Sequence, residues 1–425
     1  MADALDDRDD DSPSSAPGAV AEPVADPAWS RRGFGRGLVG ATITSGLFAG
    51  CRPCFSPWPP REQSRRARGP RTFTMRAQIL PGQDRALQCL LDDPGFNPFK
   101  TPANGIHYAR LFITDPTSLY FMVIYDDYWS AIHLLGRNAE GIDAVFGHCA
   151  GYPAGGAADA HALDGYVREN LVCVELFYRA YDNTQAEVRD ALALREHFLR
   201  FLRLTDGVGD AELRRAWAAF LQDPNLLNHD RSDGNDAPGK GSSGEDMVLL
   251  PANSPDRVNP FTLVARVEES ALPGLRRKLE LGTFATIDLG MRPLKNLPTL
   301  HFARVSIING NQMLFASVYD GDFIQYVEDF SSRIAKQMDA VFGASVGYPL
   351  AGSRDVFAFK DFLRAHQVPT SAFGGGYLSH SLLQIKSSLA LTRALARFER
   401  RGDSTHPRLA AKLRRFLHDN QNLLT

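Results

Sequence analysis

Cysteine is scarce in this sequence: Cys51, Cys54, Cys89, Cys149 and Cys173 are all that 425 residues contain. So few cysteines in so long a chain make no disulfide framework, and the fold must rest on buried apolar surface. An excess of charge of either sign is also missing, the formal net charge being -2. That balance excludes a whole-chain signature of nucleic-acid binding. Long hydrophobic runs are missing too. The uncharged run from Gly37 to Gly50 is shorter than the roughly 20 apolar residues that a membrane-spanning helix requires. What is present is 44% hydrophobic residues and 26 phenylalanines, enough for sizeable cores.

The short run has an address-like context. Ser30-Arg31-Arg32-Gly33-Phe34 precedes it, and Leu47-Phe48-Ala49-Gly50-Cys51 closes it. The first segment resembles a twin-arginine export signal and the second a lipobox, with Phe48 where leucine is usual. The resemblance implies export on Arg31 and Arg32, a lipid on Cys51, and a place in the periplasm or on the outer face of the envelope. The acidic, Pro- and Ala-rich residues before Ser30 have a composition that predicts disorder. Cys51-Arg52-Pro53-Cys54 runs into Pro- and Arg-rich sequence, so Cys54 reads as incidental rather than as half of a redox or metal pair.

The chain also repeats itself. "IHYARLFI" at 106–113 recurs as "LHFARVSI" at 300–307, and "DAVFGHCAGYP" at 143–153 as "DAVFGASVGYP" at 339–349. The offset is 194 residues at His107 and His301 and 196 at Asp143 and Asp339. The organisation expected is a leader and signal over 1–51, a linker over 52–71, a first repeat over 72–222, a Gly/Ser/Asp-rich linker over 223–258, a second repeat over 259–402 and a helical tail over 403–425.

Each copy reads strand, helix, strand, strand, helix, strand. Phe73, Met75, Ala77 and Ile79 alternate with polar residues, as do Phe261, Leu263, Ala265 and Val267. Strands follow around 107–113, 118–125, 301–308 and 312–319. Asp127 and Asp322 are placed to cap a long amphipathic helix, with capping-box spacing from Asp322 to Gln325. Gly147 and Gly343 are placed to end it as left-handed residues. A short helix and a last strand, around 171–181 and 371–378, complete each unit. Gly374-Gly375-Gly376 reads as a turn or loose strand, since it lacks the lysine and hydroxyl of a phosphate loop.

This βαββαβ pattern is ferredoxin-like, with helices on one face of an antiparallel sheet and the other face bare. Two linked copies can cover each other, so the expected fold is α+β, two ferredoxin-like repeats packed sheet to sheet as an intramolecular dimeric α+β barrel. The repeats resemble that superfamily, which includes dye-decolourising peroxidases, chlorite dismutases and small monooxygenases. Val318-Tyr319-Asp320-Gly321 resembles the peroxidases' GxxDG motif, in which the aspartate assists peroxide cleavage. Ser317 stands at the motif's first glycine, and Asp127 matches Gly321 in the other copy. The resemblance implies haem as a cofactor.

Strand parity selects the candidate site. With the apolar face of the first strand under the helices, Arg76 and Arg266 point to the open side. By the same parity Tyr108, Arg110, Phe302 and Arg304 also face it, while His107 and Ala109 turn toward the helices. Arginines in such a space either pair across it or bind an anionic ligand such as a carboxylate. Arg76, Arg110, Arg266, Arg304 and Tyr108 are therefore the candidate ligand-binding residues, and no metal site is expected. His107 and His301 occur in both copies and read as satisfied side chains near strand starts. His148, His197, His366 and His380 have no ligand-like spacing. Asp126 and Asp320 read as caps or turn formers.

The functional expectation is an exported ligand-binding protein or oxidoreductase, haem-dependent in the reading that the resemblance implies. It would take an anionic small molecule between the repeats. The alternative is a non-enzymatic module attached to the envelope. Nucleic acid is not an expected partner: tandem RNA-recognition motifs share the topology, but their aromatic strand signature is absent from "SLYFMVIYD" and "QMLFASVYD".

Overall fold

A computed structural model describes residues 69–101, 104–222, 257–285, 294, 297–401 and 406–424. Arg31, Arg32, Cys51 and the expected leader lie outside the described residues, as do both linkers apart from 69–71 and 257–258.

The first copy runs β1 (Arg71–Gln78), α1 (Asp84–Asp92), β2 (Ile106–Asp115), β3 (Ser118–Tyr125), α2 (Tyr128–Arg137), α3 (Ala139–Phe146), α4 (Ala160–Glu169), β4 (Leu171–Val172) and β5 (Leu176–Arg179). A helix pair follows, α5 (Gln185–Leu204) and α6 (Asp210–Leu221). The second copy runs β6 (Val258–Arg266), α7 (Leu272–Ala285), β7 (Leu300–Ile308), β8 (Gln312–Asp320), α8 (Phe323–Arg333), α9 (Ala335–Phe342), α10 (Val356–His366) and β9 (Ala372–Gly375). It too ends in a helix pair, α11 (Leu382–Arg400) and α12 (Leu409–Asp419). The one long helix expected per copy is two. In the first copy Asn138 breaks it, donating from its side chain to the Leu134 carbonyl and accepting the Thr101 N–H at 2.6 Å.

Two antiparallel sheets result, β4-β1-β3-β2-β9 and β5-β7-β8-β6. The copies exchange their last strands. β5 of the first pairs with β7 of the second, from Leu176 opposite Val305 to Arg179 opposite Phe302, and β9 of the second pairs with β2 of the first. The fold is α+β, and its halves are joined by main-chain hydrogen bonds as well as by packing. Phe73, Met75, Ala77 and Ile79 bury against the first copy's helices, and Phe261, Leu263, Ala265 and Val267 against the second's. Between the sheets Phe112, Tyr120 and Met122 meet Ile308, Leu314 and Ala316. The four trailing helices close a further core around Phe198, Trp217, Leu391, Phe398 and Phe416.

Two local expectations are corrected, and the alternatives left at the triple glycine are resolved in favour of strand. Gly147 and Gly343 are right-handed, with φ of -58° and -62°. Glycine suits position 147 because a Cβ there would come 2.7 Å from the Asp143 carbonyl oxygen. The left-handed glycines that follow these helices are Gly151 and Gly347, which start the Gly-Tyr-Pro turns with φ of 72° and 78°. Asp322 caps α8 from its own side chain only, accepting from the Ile324 and Gln325 N–H groups. The reciprocal capping boxes are Thr184 with Glu187 on α5 and Ser381 with Gln384 on α11. Finally, Gly374 and Gly375 are strand residues, paired with Ala109 and Tyr108. A Cβ at Gly375 would lie 2.5 Å from Tyr108 Cδ1 and 2.8 Å from the His107 carbonyl, so the exchanged strand docks only because that position carries none.

Candidate functional site

Parity fails at the start of the second strand of each copy. The pairing register shifts between Ile106 and Tyr108 and between Leu300 and Phe302, a bulge-like irregularity. A bulge adds one residue and re-aims the side chains beside it. His107 consequently turns away from the helices and joins Tyr108 on the inter-sheet side, where its ring meets those of Tyr181, Phe302 and Tyr377. His301 likewise meets Tyr108 and Tyr181. This corrects the expectation that His107 lies under the helices.

Both histidines are fully buried, and each is tied to an aspartate 19 residues on. His107 Nε2 lies 2.7 Å from Asp126 Oδ1 and His301 Nε2 2.5 Å from Asp320 Oδ1. The second oxygen of each carboxylate accepts the N–H of the first residue of a trailing helix, Gln185 at 2.8 Å for Asp126 and Leu382 at 2.7 Å for Asp320. Each couple thus fastens a long helix to the end of a sheet, at the end of the helix dipole that favours negative charge. A carboxylate can only accept, so neutral His107 carries its proton on Nε2 and leaves Nδ1 as an acceptor.

That acceptor has a donor. The Tyr377 hydroxyl, just past the exchanged strand β9, hydrogen-bonds His107 Nδ1, and the Tyr181 hydroxyl lies 2.8 Å from it. Tyr108 reaches His301 Nδ1 less closely, at 3.4 Å. The result is a buried polar chain, Asp126–His107–Tyr377–Tyr181, with Tyr108 and His301–Asp320 beside it. Burial first, then the neighbouring tyrosines and Asp126, push the Tyr377 phenol well above its ordinary range. Tyr108 and Tyr181 are raised as well, again chiefly by burial.

The arginines do not converge on one space. Arg110 crosses between the sheets to donate to the Phe261 carbonyl at 2.9 Å, Thr262 Oγ1 at 3.1 Å and the Ser317 carbonyl at 2.6 Å. Arg304 crosses in the opposite direction to the Phe73 carbonyl at 2.9 Å. Burial pushes the Arg110 guanidinium down to about 9, and burial followed by the charge of Arg110 lowers Arg304. Arg76 is half-buried and donates to Ser118 Oγ, whereas Arg266 is exposed. Tyr108, by contrast, sits beside the polar chain, against His301.

A haem does not fit between the sheets. The space is filled by Phe112, Tyr120, Met122, Ile308, Leu314 and Ala316, and Arg110 and Arg304 are engaged by main-chain oxygens. His107 and His301, the buried histidines there, have both ring nitrogens occupied. Elsewhere His148 bonds Gln83 and His366 bonds the Phe362 carbonyl. Among the described residues no group of three or more His, Cys, Asp or Glu side chains is placed to hold a metal ion, and no helix is long and apolar enough to cross a membrane.

Among the described residues, open space is found between α5 and α11. A cleft of about 400 Å³ is lined by Leu192, Leu199, Arg189, Glu196, His380 and Tyr377, among others. Its volume falls within the range of small-molecule sites. Tyr377 thereby belongs both to the cleft wall and to the buried chain. Sequence reasoning missed Tyr181 and Tyr377, although their separation of 196 residues matches the repeat offset and could have flagged them.

No protein-family model matches this chain, and no curated protein matches it. Solved structures similar to it include a candidate monooxygenase from Fusobacterium nucleatum subsp. nucleatum ATCC 25586, at 10% identity over 72% of this chain and 95% of that one, with a TM-score of 0.28. A candidate monooxygenase from Lactobacillus acidophilus NCFM aligns at 8% identity over 72% and 97%, with a TM-score of 0.23. An anthrone oxidase-like protein aligns at 10% identity over 75% and 98%, with a TM-score of 0.21. At these scores the likenesses carry no argument about activity.

Proposed function

We propose that this chain is a small-molecule-binding protein of oxidoreductase type whose ligand, an acidic organic molecule, occupies the cleft between α5 and α11. The observation that carries this reading is the position of Tyr377, which lines a 400 Å³ cleft and is hydrogen-bonded to a histidine held by an aspartate. The cleft combines apolar Leu192 and Leu199 with Arg189 and His380 against a single acid, Glu196, a balance that favours a carboxylate on an apolar body, while Arg195 beside them donates to the Leu424 carbonyl at 2.9 Å. The site suggested by strand parity, an anion held by the four arginines, is replaced by one outside the barrel, because the space between the sheets is filled.

Isothermal titration against a panel of aromatic and aliphatic carboxylates tests it. Binding is expected for at least one aromatic acid and is expected to vanish in Leu192→Trp, which fills the cleft. A panel without binders, or binding indifferent to that substitution, favours the non-enzymatic envelope module.

Export by a twin-arginine route and attachment through a lipid on Cys51 belong to the same proposal. The Ser30–Phe34 and Leu47–Cys51 segments support them. Mass spectrometry of the mature N-terminus tests both.

A further inference from the structure

We propose that Tyr377 is a redox-active tyrosine that yields one electron to a high-potential one-electron acceptor in the α5–α11 cleft and passes its proton to His107. The proposal goes beyond ligand binding and rests on the cleft of that reading, whose occupant here must itself take up the electron.

Removing an electron from a buried phenol leaves a strongly acidic radical cation, so the oxidation needs a base already in hydrogen-bond contact. His107 Nδ1 is that base, and its opposite nitrogen is anchored to Asp126 Oδ1 at 2.7 Å. In the step the Tyr377 O–H bond breaks, an N–H bond forms at His107 Nδ1, and the acceptor is reduced by one electron. The products are a neutral phenoxyl radical and an imidazolium whose charge Asp126 balances. Returning the electron and proton reverses it.

Neighbouring tyrosines are less suited. Tyr108 lies 3.4 Å from His301 Nδ1, near the limit of a hydrogen bond. Tyr181 meets His107 by ring contact, its hydroxyl lying 2.8 Å from that of Tyr377. Burial raises Tyr377 well above the ordinary phenol range, so the group reacts as phenol rather than phenolate and electron and proton leave together. Tyr377 also lines the cleft, buried just behind its surface.

The test is flash oxidation of the purified protein with tris(bipyridine)ruthenium(III), followed by electron paramagnetic resonance and transient absorption. A phenoxyl signal is expected that is lost in Tyr377→Phe and retained in Tyr181→Phe. His107→Gln is expected to slow its formation about 100-fold, the contribution of a positioned base. Persistence of the signal in Tyr377→Phe, an unchanged rate in His107→Gln, or no phenoxyl signal overturns the proposal. Should Tyr377→Phe fold poorly, 3,5-difluorotyrosine at position 377 keeps the hydroxyl, and an unaltered hyperfine pattern overturns it equally.

Discussion

Arg110 of the first sheet donates through Nη2 to the carbonyl oxygen of Ser317 in the second, at 2.6 Å. The same guanidinium also holds Phe261 and Thr262, so one side chain pins two neighbouring strands of the opposite sheet. The contact brings a desolvated cation to acceptors that are all neutral, which makes its geometry decisive.

Arg110→Lys and Arg110→Met separate charge from geometry. Lysine keeps the buried charge but has no planar fork to reach both carbonyls, and is expected to cost about 3 kcal/mol; methionine removes the charge and should cost less. Urea denaturation of the two variants gives the order, and a lysine variant more stable than the methionine one contradicts this account.

Gly375→Ala places a methyl group 2.5 Å from the Tyr108 ring and 2.8 Å from the His107 carbonyl. Main chain cannot yield as a flexible side chain does, so the exchanged strand is expected to lift from β2 at a cost of about 1–3 kcal/mol. A lower melting temperature and faster amide exchange at residues 372–375 are the signs to look for.

Residues 69–222 alone lack β9, and their sheet bares Tyr108, Phe112, Tyr120 and Met122. Strand β5 has its ladder only with β7 of the other copy. The fragment is therefore expected to elute as a dimer or larger species, each β5 serving the other chain's sheet. A monodisperse, folded monomer in size-exclusion chromatography counts against strand exchange as a source of stability.

Asp339 provides a pH test. Burial acts to raise its carboxyl, but hydrogen bonds from the Tyr348 hydroxyl and Ser353 outweigh that and hold it below the ordinary 3.8. A depressed carboxylate stabilises the folded state fully above its unfolded pKa and loses that contribution as pH falls through the folded one. Wild type is thus expected to exceed Asp339→Asn in stability at neutral pH, with the gap closing only below about pH 4. Thermal melts at stepped pH measure the gap, and one that widens on acidification reverses the sign assigned here.

The sequence alone determined the doubled βαββαβ unit and the buried faces of Phe73–Ile79 and Phe261–Val267. Alternation and matched words are local properties, and they persist whatever the strands later pair with. It also exposed His107, His301, Asp126 and Asp320 as repeated features, although their pairing across 19 residues was hidden. Tertiary structure decided which sheet each last strand joins, because the pattern of a four-residue strand such as β9 does not name its edge, and the close approach at Gly375 and the Tyr377–His107 bond form only on β2. It decided the site too. One irregular residue at the start of β2 and of β7 reverses the parity on which the reading of His107 relied, and the distant Tyr377 and Tyr181 meet it only after exchange.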